Sequence, residues 1–137
     1  MPQYQVFYDR ACPMCRFEIL RLDRLAAPGC FELIDISAAD FNAADFGVSQ
    51  AALEAQIHIR ALTPDAPWLI GIDAIAALYQ AIGSTWWQGP LHWRATRGTV
   101  AALYRWVAAH RYAVSRALGF KPHADCTTGS CSIKKLA

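Results

Sequence analysis

The hydrophobic and polar positions in the first half of the chain change period several times, which predicts strands alternating with helices. Tyr4–Tyr8 is aromatic and β-branched, as expected of a strand. A helix is predicted from Pro13, because proline suits the first helical turn, and Pro28-Gly29 ends it. Phe31–Ile36 alternates and predicts a second strand. A short helix over Ser49–Ala55 follows, with Ser49 as its N-cap.

The second half of the chain predicts a hairpin and then two helices. Ile57–Arg60 alternates, residues 63–67 predict a turn, and Trp68–Ile72 pairs back as the next strand. Asp73 is predicted to cap a helix that runs through Ile82. A last amphipathic helix is predicted over Thr96–Leu118. Its inward stripe is expected to consist of Val100, Leu103, Val107, Val114 and Leu118.

The order of the predicted elements is β-α-β-α-β-β-α with an added amphipathic C-terminal helix, which is an α/β arrangement. A strand, a crossover helix and a second strand give a parallel pair, and the later hairpin adds antiparallel strands. This order predicts a thioredoxin-like core. Residues 1–122 are expected to form the domain, and residues 123–137 are expected to form a polar, cysteine-containing tail.

Composition and charge indicate one self-sufficient domain with a basic end. Of the 137 residues, 55% are hydrophobic and 18% are charged, which excludes a disordered chain. The net charge of +2 conceals an asymmetry: residues 1–91 carry five basic and ten acidic side chains, whereas residues 92–137 carry eight and one. Such a basic segment either packs on the acidic body or binds an acidic partner.

The sequence predicts neither a secretory leader nor a transmembrane segment. The first residues lack a basic region followed by an apolar run. Ala74–Trp93 contains no charged residue, but glutamine, glycine and proline interrupt it, so it predicts a helix followed by a turn. We therefore expect a cytoplasmic protein. In that reducing compartment, paired cysteines are more often catalytic or metal-binding than structural.

The Cys-Pro-Met-Cys run at residues 12–15 is the strongest chemical signal, because it follows a predicted strand and opens a predicted helix. Backbone N–H groups and the helix dipole at that end stabilise a thiolate and lower the pKa of Cys12. The spacing brings Cys15 to the same helix face, within disulfide reach. We expect Cys12, as the more exposed sulfur, to attack, and Cys15 to resolve the mixed disulfide. Metal binding and two inert core thiols are the alternatives.

Tyr8–Cys15 (Tyr-Asp-Arg-Ala-Cys-Pro-Met-Cys) resembles the Asp-x-x-Cys-x-x-Cys signature of the DCC family of thiol–disulfide oxidoreductases. Ile57–Ile59 with Gly71–Ala74, and Tyr104–Tyr112, resemble later segments of that family. The resemblance spans about residues 4–118 and implies a thioredoxin-like fold and thiol–disulfide exchange. The chain departs from the family at Arg10, where glycine is usual.

Asp9 marks the family signature, and two roles are open for it. Its carboxylate could exchange a proton with Cys15, or it could shape the turn by accepting hydrogen bonds from loop N–H groups. Arg10 would offset its charge. We expect Arg10, Pro13 and His58 to contact substrate, although a histidine on a strand is more often structural.

A second cysteine pair, Cys126 and Cys131, lies in the tail close to His123. Together with Cys12 and Cys15 it would provide four zinc ligands, and otherwise the tail holds free or disulfide-forming thiols. Cys30 is expected to be a small core residue. Three tryptophans are expected to cover the core beneath a loop, rather than to bind a base or a membrane: Trp86, Trp87 and Trp93.

The sequence therefore predicts a thiol–disulfide oxidoreductase that acts through Cys12 and Cys15 on protein or low-molecular-weight thiols and disulfides. No cofactor and no nucleic-acid partner are expected. Two other functions stay open: a zinc-binding module, and a non-catalytic adaptor whose basic, aromatic C-terminal face binds an acidic partner.

Overall fold

The computed structural model of the chain describes residues 3–84 and 93–120. Four strands form one mixed sheet in the order β2-β1-β3-β4. Strand β1 runs parallel to β2 and antiparallel to β3, and β3 pairs antiparallel with β4. This arrangement confirms the predicted thioredoxin-like α/β fold. The strands are β1 (Tyr4–Tyr8), β2 (Phe31–Asp35), β3 (His58–Ala61) and β4 (Trp68–Ile70).

The helices follow the predicted order, but the N-cap of the helix predicted from Asp73 and the continuity of the C-terminal helix differ from the prediction. They are α1 (Pro13–Leu25), a 3-10 helix (Ala43–Phe46), α2 (Gln50–Ala55), α3 (Ile72–Ala81), α4 (Arg94–Ala109) and α5 (Arg111–Ala117). Ser49 caps α2 as predicted, because its side chain accepts a hydrogen bond from Ala52 N–H. Asp73, in contrast, lies inside the first turn of α3, and Gly71 occupies the N-cap position with φ +63°.

The sheet has an apolar cluster on each face. Helices α1 and α3 cover one face, where Val6, Ile19 and Leu78 belong to the larger cluster together with Cys30, as expected for a small core residue. Helix α2 and the 3-10 helix cover the other face, around Phe7. Because side chains alternate along β1, Val6 and Phe7 point to opposite clusters.

The predicted C-terminal helix is two helices, and the predicted inward stripe holds at the half-buried Val100, Val107 and Val114 but is wrong at Leu103 and Leu118. The chain leaves the helical conformation at His110 (φ −108°, ψ 20°), so one periodicity does not run through both helices. Leu103 is 61% exposed and Leu118 is 64% exposed. Helix α4 packs on α2 and α3, whereas α5 packs on α1. The break therefore turns a different set of side chains towards the body, including Tyr104 and Ser115.

Several predictions fall outside the described ranges: those for the tail with Cys126, Cys131 and His123, and those for Trp86 and Trp87. Trp93 is described and is exposed, so it does not cover the core. Among residues 3–84 and 93–120, no helix is long and apolar enough to cross a membrane.

Candidate active site

The segment from Asp9 to Cys15 lies at the junction between the end of β1 and the start of α1. Strand β1 ends at Tyr8, and a turn closed by a 3.2 Å hydrogen bond from Cys12 N–H to the Asp9 carbonyl leads into α1. Cys12 is the N-cap residue with extended backbone (φ −80°, ψ 114°), and Pro13 is the first helical residue. The Cys12 sulfur therefore lies at the positive end of the α1 dipole.

The two thiols of the motif are reduced and hydrogen-bonded to each other, and their acidities diverge. The hydrogen bond from the Cys15 thiol is the main cause that lowers the pKa of Cys12 to about 6, against the opposing effect of burial. The same bond, burial and the charge on Cys12 raise the pKa of Cys15 far above its usual range. The thiolate is therefore favoured on the Cys12 sulfur rather than on Cys15.

Cys12 is 0% exposed, whereas Cys15 is partly exposed. This reverses the predicted order of exposure, and the cause is α5. The Ser115 hydroxyl of α5 lies 3.8 Å from the Cys12 sulfur and accepts a hydrogen bond from Met14 N–H at 3.2 Å. Ser115 is itself fully buried, so α5 closes the N-terminus of α1 from solvent.

Asp9 joins the motif to the same helix. One carboxylate oxygen accepts a 3.0 Å hydrogen bond from Ala11 N–H, which is the turn-shaping bond considered from the sequence. The other oxygen accepts from the Tyr112 hydroxyl at 2.6 Å and pairs with the Arg111 guanidinium at 3.0 Å. Arg111 also donates to the Glu54 carbonyl. Asp9, Arg111 and Tyr112 form what we call the α5 latch, because they fasten α5 beside the cysteines.

A cavity of about 220 Å³ opens on the other side of Cys15. Its lining is mostly apolar and includes Ile19, Ile75 and Val107. Tyr104 closes one wall, where its hydroxyl accepts a 2.9 Å hydrogen bond from Ile57 N–H and burial raises its pKa to about 12. The two sulfurs thus face different surroundings: a polar cover over Cys12 and an apolar space beside Cys15.

The chain matches the DCC1-like thiol-disulfide oxidoreductase family over residues 6–117. It belongs to this family. An uncharacterized chloroplastic protein of Arabidopsis thaliana is 30% identical over 84 residues, which cover 60% of this chain. The chain spans 38% of the length of that relative. No solved structure matches the chain significantly.

Not all of the expected site residues lie close together in this DCC1-like chain. Cys12, Cys15 and Asp9 lie together, and Pro13 is buried directly beside Cys12 at the start of α1. Arg10 is half-buried in the turn, where its backbone N–H donates to Asp35. His58 points to the opposite face of the sheet, where its ring bonds the Gln56 carbonyl at 2.8 Å and packs edge-on against Trp68.

The sequence prediction missed Arg111, Tyr112 and Ser115 as parts of the site. The resemblance of Tyr104–Tyr112 to the family helix was the available signal for the first two. Ser115 had no such signal, because a small polar residue near the end of an amphipathic helix is ordinary in itself. Its importance follows only from the docking of α5 on α1.

Proposed function

We propose that the chain catalyses thiol–disulfide exchange, with Cys12 as the nucleophile and Cys15 as the resolving thiol. The observation that carries the proposal is the position of Cys12 at the N-terminus of α1, within one turn of Cys15, whose thiol lowers the pKa of Cys12 to about 6. A thiolate is the reactive species in exchange, and an attacking thiol with a pKa near the ambient pH is favoured. Membership of an oxidoreductase family supports the same reaction.

The reaction has two balanced steps. The Cys12 thiolate attacks one sulfur of a substrate disulfide, a Cys12–substrate disulfide forms, and the other substrate sulfur leaves as a thiolate. Cys15 then loses its proton to solvent and attacks the Cys12 sulfur, which releases the second substrate sulfur as a thiolate; the released thiolates take up protons from solvent. The Cys12–Cys15 dithiol is oxidised to a disulfide and the substrate disulfide is reduced to two thiols. Reversal of the steps oxidises a substrate dithiol.

The pKa of Cys15 determines when the second step can occur. Two of the three largest causes that keep its pKa high are the hydrogen bond to Cys12 and the charge on Cys12. Both disappear when Cys12 becomes a neutral mixed disulfide, so the pKa of Cys15 falls at that moment. Cys15 therefore stays protonated during the attack and becomes available for the resolution.

Asp9 serves in this proposal as a positioning residue. Its two carboxylate oxygens are engaged by Ala11 N–H, Tyr112 and Arg111, so its main task is to fix the turn and hold α5. Since α5 covers Cys12, we expect a substrate disulfide to reach the sulfur after a shift of α5 that admits it while Ser115 stays beside Cys12. Arg10 and Pro13 are the neighbours of Cys12 that such a substrate would meet, whereas His58 lies on the far face of the sheet.

The test uses the full chain with Cys126 and Cys131 replaced by serine, so that tail thiols do not contribute. A small aromatic disulfide serves as substrate, and the released thiolate is followed by absorbance. Cys12→Ser should abolish exchange, and Cys15→Ser should stop after one equivalent as a mixed disulfide visible by mass spectrometry. Cys30→Ser, which alters a buried cysteine outside the motif, is the control and should react normally. Undiminished exchange by Cys12→Ser would refute the proposal.

A further inference from the structure

We propose that Ser115 is a further catalytic residue, whose hydroxyl donates a hydrogen bond to the Cys12 thiolate and stabilises the charge during exchange. The proposal rests on the proposed function and adds a residue to it. The Ser115 oxygen lies 3.8 Å from the Cys12 sulfur, within hydrogen-bond reach for sulfur, and both groups are fully buried. A charge-bearing hydrogen bond inside protein is stronger than one in water.

The second contact of Ser115 fixes the direction of its hydroxyl. Met14 N–H donates to the Ser115 oxygen at 3.2 Å, so that oxygen acts as an acceptor on one side. A hydroxyl has one proton and two acceptor lone pairs, which leaves its proton for another partner. The Cys12 sulfur also contacts this hydroxyl, and as a thiolate it has no proton and can only accept, so the hydroxyl proton points at the nucleophile.

The need for Ser115 arises from the residue at the N-cap. A helix usually begins with Ser, Thr, Asp or Asn, whose side chain accepts an N–H of the first turn. In α1 that position holds the nucleophile, Cys12, and no side chain of the position supplies the cap bond. Pro13 has no N–H, so Met14 supplies the first N–H of the helix. The Ser115 hydroxyl of α5, 101 residues later in the chain, accepts the hydrogen bond from this N–H. One hydroxyl therefore supplies both the missing cap and a donor to the thiolate.

The same contact acts in both directions of exchange. When Cys12 attacks, the hydroxyl stabilises the reactant thiolate and keeps it populated at neutral pH. When Cys12 leaves a mixed disulfide, the hydroxyl stabilises the departing charge, and a sulfur of lower pKa leaves faster. A neutral disulfide sulfur accepts a hydrogen bond more weakly than a thiolate, so the bond favours the charged form.

The test is the titration of Cys12 in the reduced full chain, read by thiolate absorbance near 240 nm and by the pH dependence of alkylation. Ser115→Ala should move the Cys12 midpoint upward by about one pH unit, which lowers the thiolate fraction at pH 6 about fivefold. Ser49→Ala is the matched control. This substitution also removes a hydroxyl that accepts a hydrogen bond from a first-turn N–H, in α2, but Ser49 contacts neither Cys12 nor Cys15.

Ser115→Thr, which restores a hydroxyl, should return the midpoint towards the wild-type value. An unmoved midpoint in a Ser115→Ala variant that melts like the wild type would overturn the proposal. The titration contains no substrate, so it distinguishes this failure from failure of the proposed function. In that second case Cys12→Ser would retain exchange while Ser115→Ala still shifted the midpoint.

Discussion

Cys12 and Cys15 lie within one turn of α1, yet their surroundings differ in nearly every respect. Cys12 is covered by the polar contacts of α5 and is ionised at neutral pH. Cys15 borders an apolar cavity and is held neutral by burial and by its bond to Cys12. The comparison teaches that hydrogen bonds, rather than exposure, distinguish the sulfur of lower pKa from the sulfur of higher pKa. The fully covered sulfur is the acidic one.

The largest expected effect is on the pH dependence of stability, where the two cysteines have opposite signs. A cysteine in the unfolded chain titrates near pH 8.5. The folded pKa of Cys12 is about 6, so between pH 6 and 8.5 the unfolded chain holds more protons and the free energy of unfolding rises with pH. The rise from Cys12 alone is up to about 3 kcal/mol. Above pH 8.5 the raised pKa of Cys15 makes stability fall again.

Urea denaturation at a series of pH values measures this dependence. Cys12→Ser should remove the rise between pH 6 and 8.5, and Cys15→Ser should reduce the fall above it. The difference between each variant and the wild type separates the coupled cysteine pair from the other titrating groups. Parallel curves for Cys12→Ser and the wild type over pH 6 to 8.5 would contradict the assigned acidity of Cys12.

The next largest effect concerns the α5 latch, which holds α5 over Cys12 but not over Cys15. Asp9→Asn places an amide N–H₂ opposite the Tyr112 hydroxyl and the Arg111 guanidinium, which are both donors. Loss of this largely buried pair should lower the free energy of unfolding by about 2 kcal/mol. It should also speed alkylation of Cys12 at pH 8, because α5 opens more often.

The control for the latch is Asp73→Asn, which breaks the exposed ion pair between Asp73 and Arg97. Exposed pairs contribute about 0–1 kcal/mol, so stability should change little and Cys12 alkylation not at all. If Asp9→Asn instead unfolds like the wild type but slows the resolution step, Asp9 acts as a proton acceptor for Cys15. That result would replace the positioning role.

The last expected effect tests whether Cys15 acts on Cys12 through its hydrogen bond. Cys15→Ala removes the donor that most strongly lowers the pKa of Cys12. The Cys12 midpoint should then rise towards 8.5, and its thiolate fraction at pH 6 should fall more than tenfold. Cys15→Ser keeps a hydroxyl donor at the same place and should retain most of the thiolate. Equal midpoints for the two variants would show that Cys15 does not act through this bond.

The elements that local patterns control were predictable from the sequence. The aromatic and β-branched content of Tyr4–Tyr8, the alternation in Phe31–Ile36 and the helix start at Pro13 are properties of neighbouring residues, and they place the cysteine motif correctly. The C-terminal helices were not predictable in the same way. Their inward face depends on the break at His110 and on packing against α1, and neither is visible in a single periodicity.

In the candidate site, too, contacts between neighbouring residues were predictable from the sequence, whereas contacts between distant parts of the chain were not. The cysteine pair and the turn bond of Asp9 lie within a few residues of each other, so spacing alone brings them together. The burial of Cys12 and the contact with Ser115 depend on a helix that begins about a hundred residues later. His58 shows the converse: it lies on the strand beside β1, but alternation directs it to the other face of the sheet.

The long sequence separation within the site also has a consequence for biosynthesis. The contacts from Cys12 to Ser115 and from Asp9 to Tyr112 each join residues 103 positions apart. A ribosome adding roughly 5–20 residues per second needs about 5–20 s to supply the second member of each pair. During that interval Cys12 lacks the contact with Ser115, so its pKa lies closer to the ordinary value of about 8.5. The nascent chain thus acquires the most acidic form of the Cys12 thiol only when α5 docks.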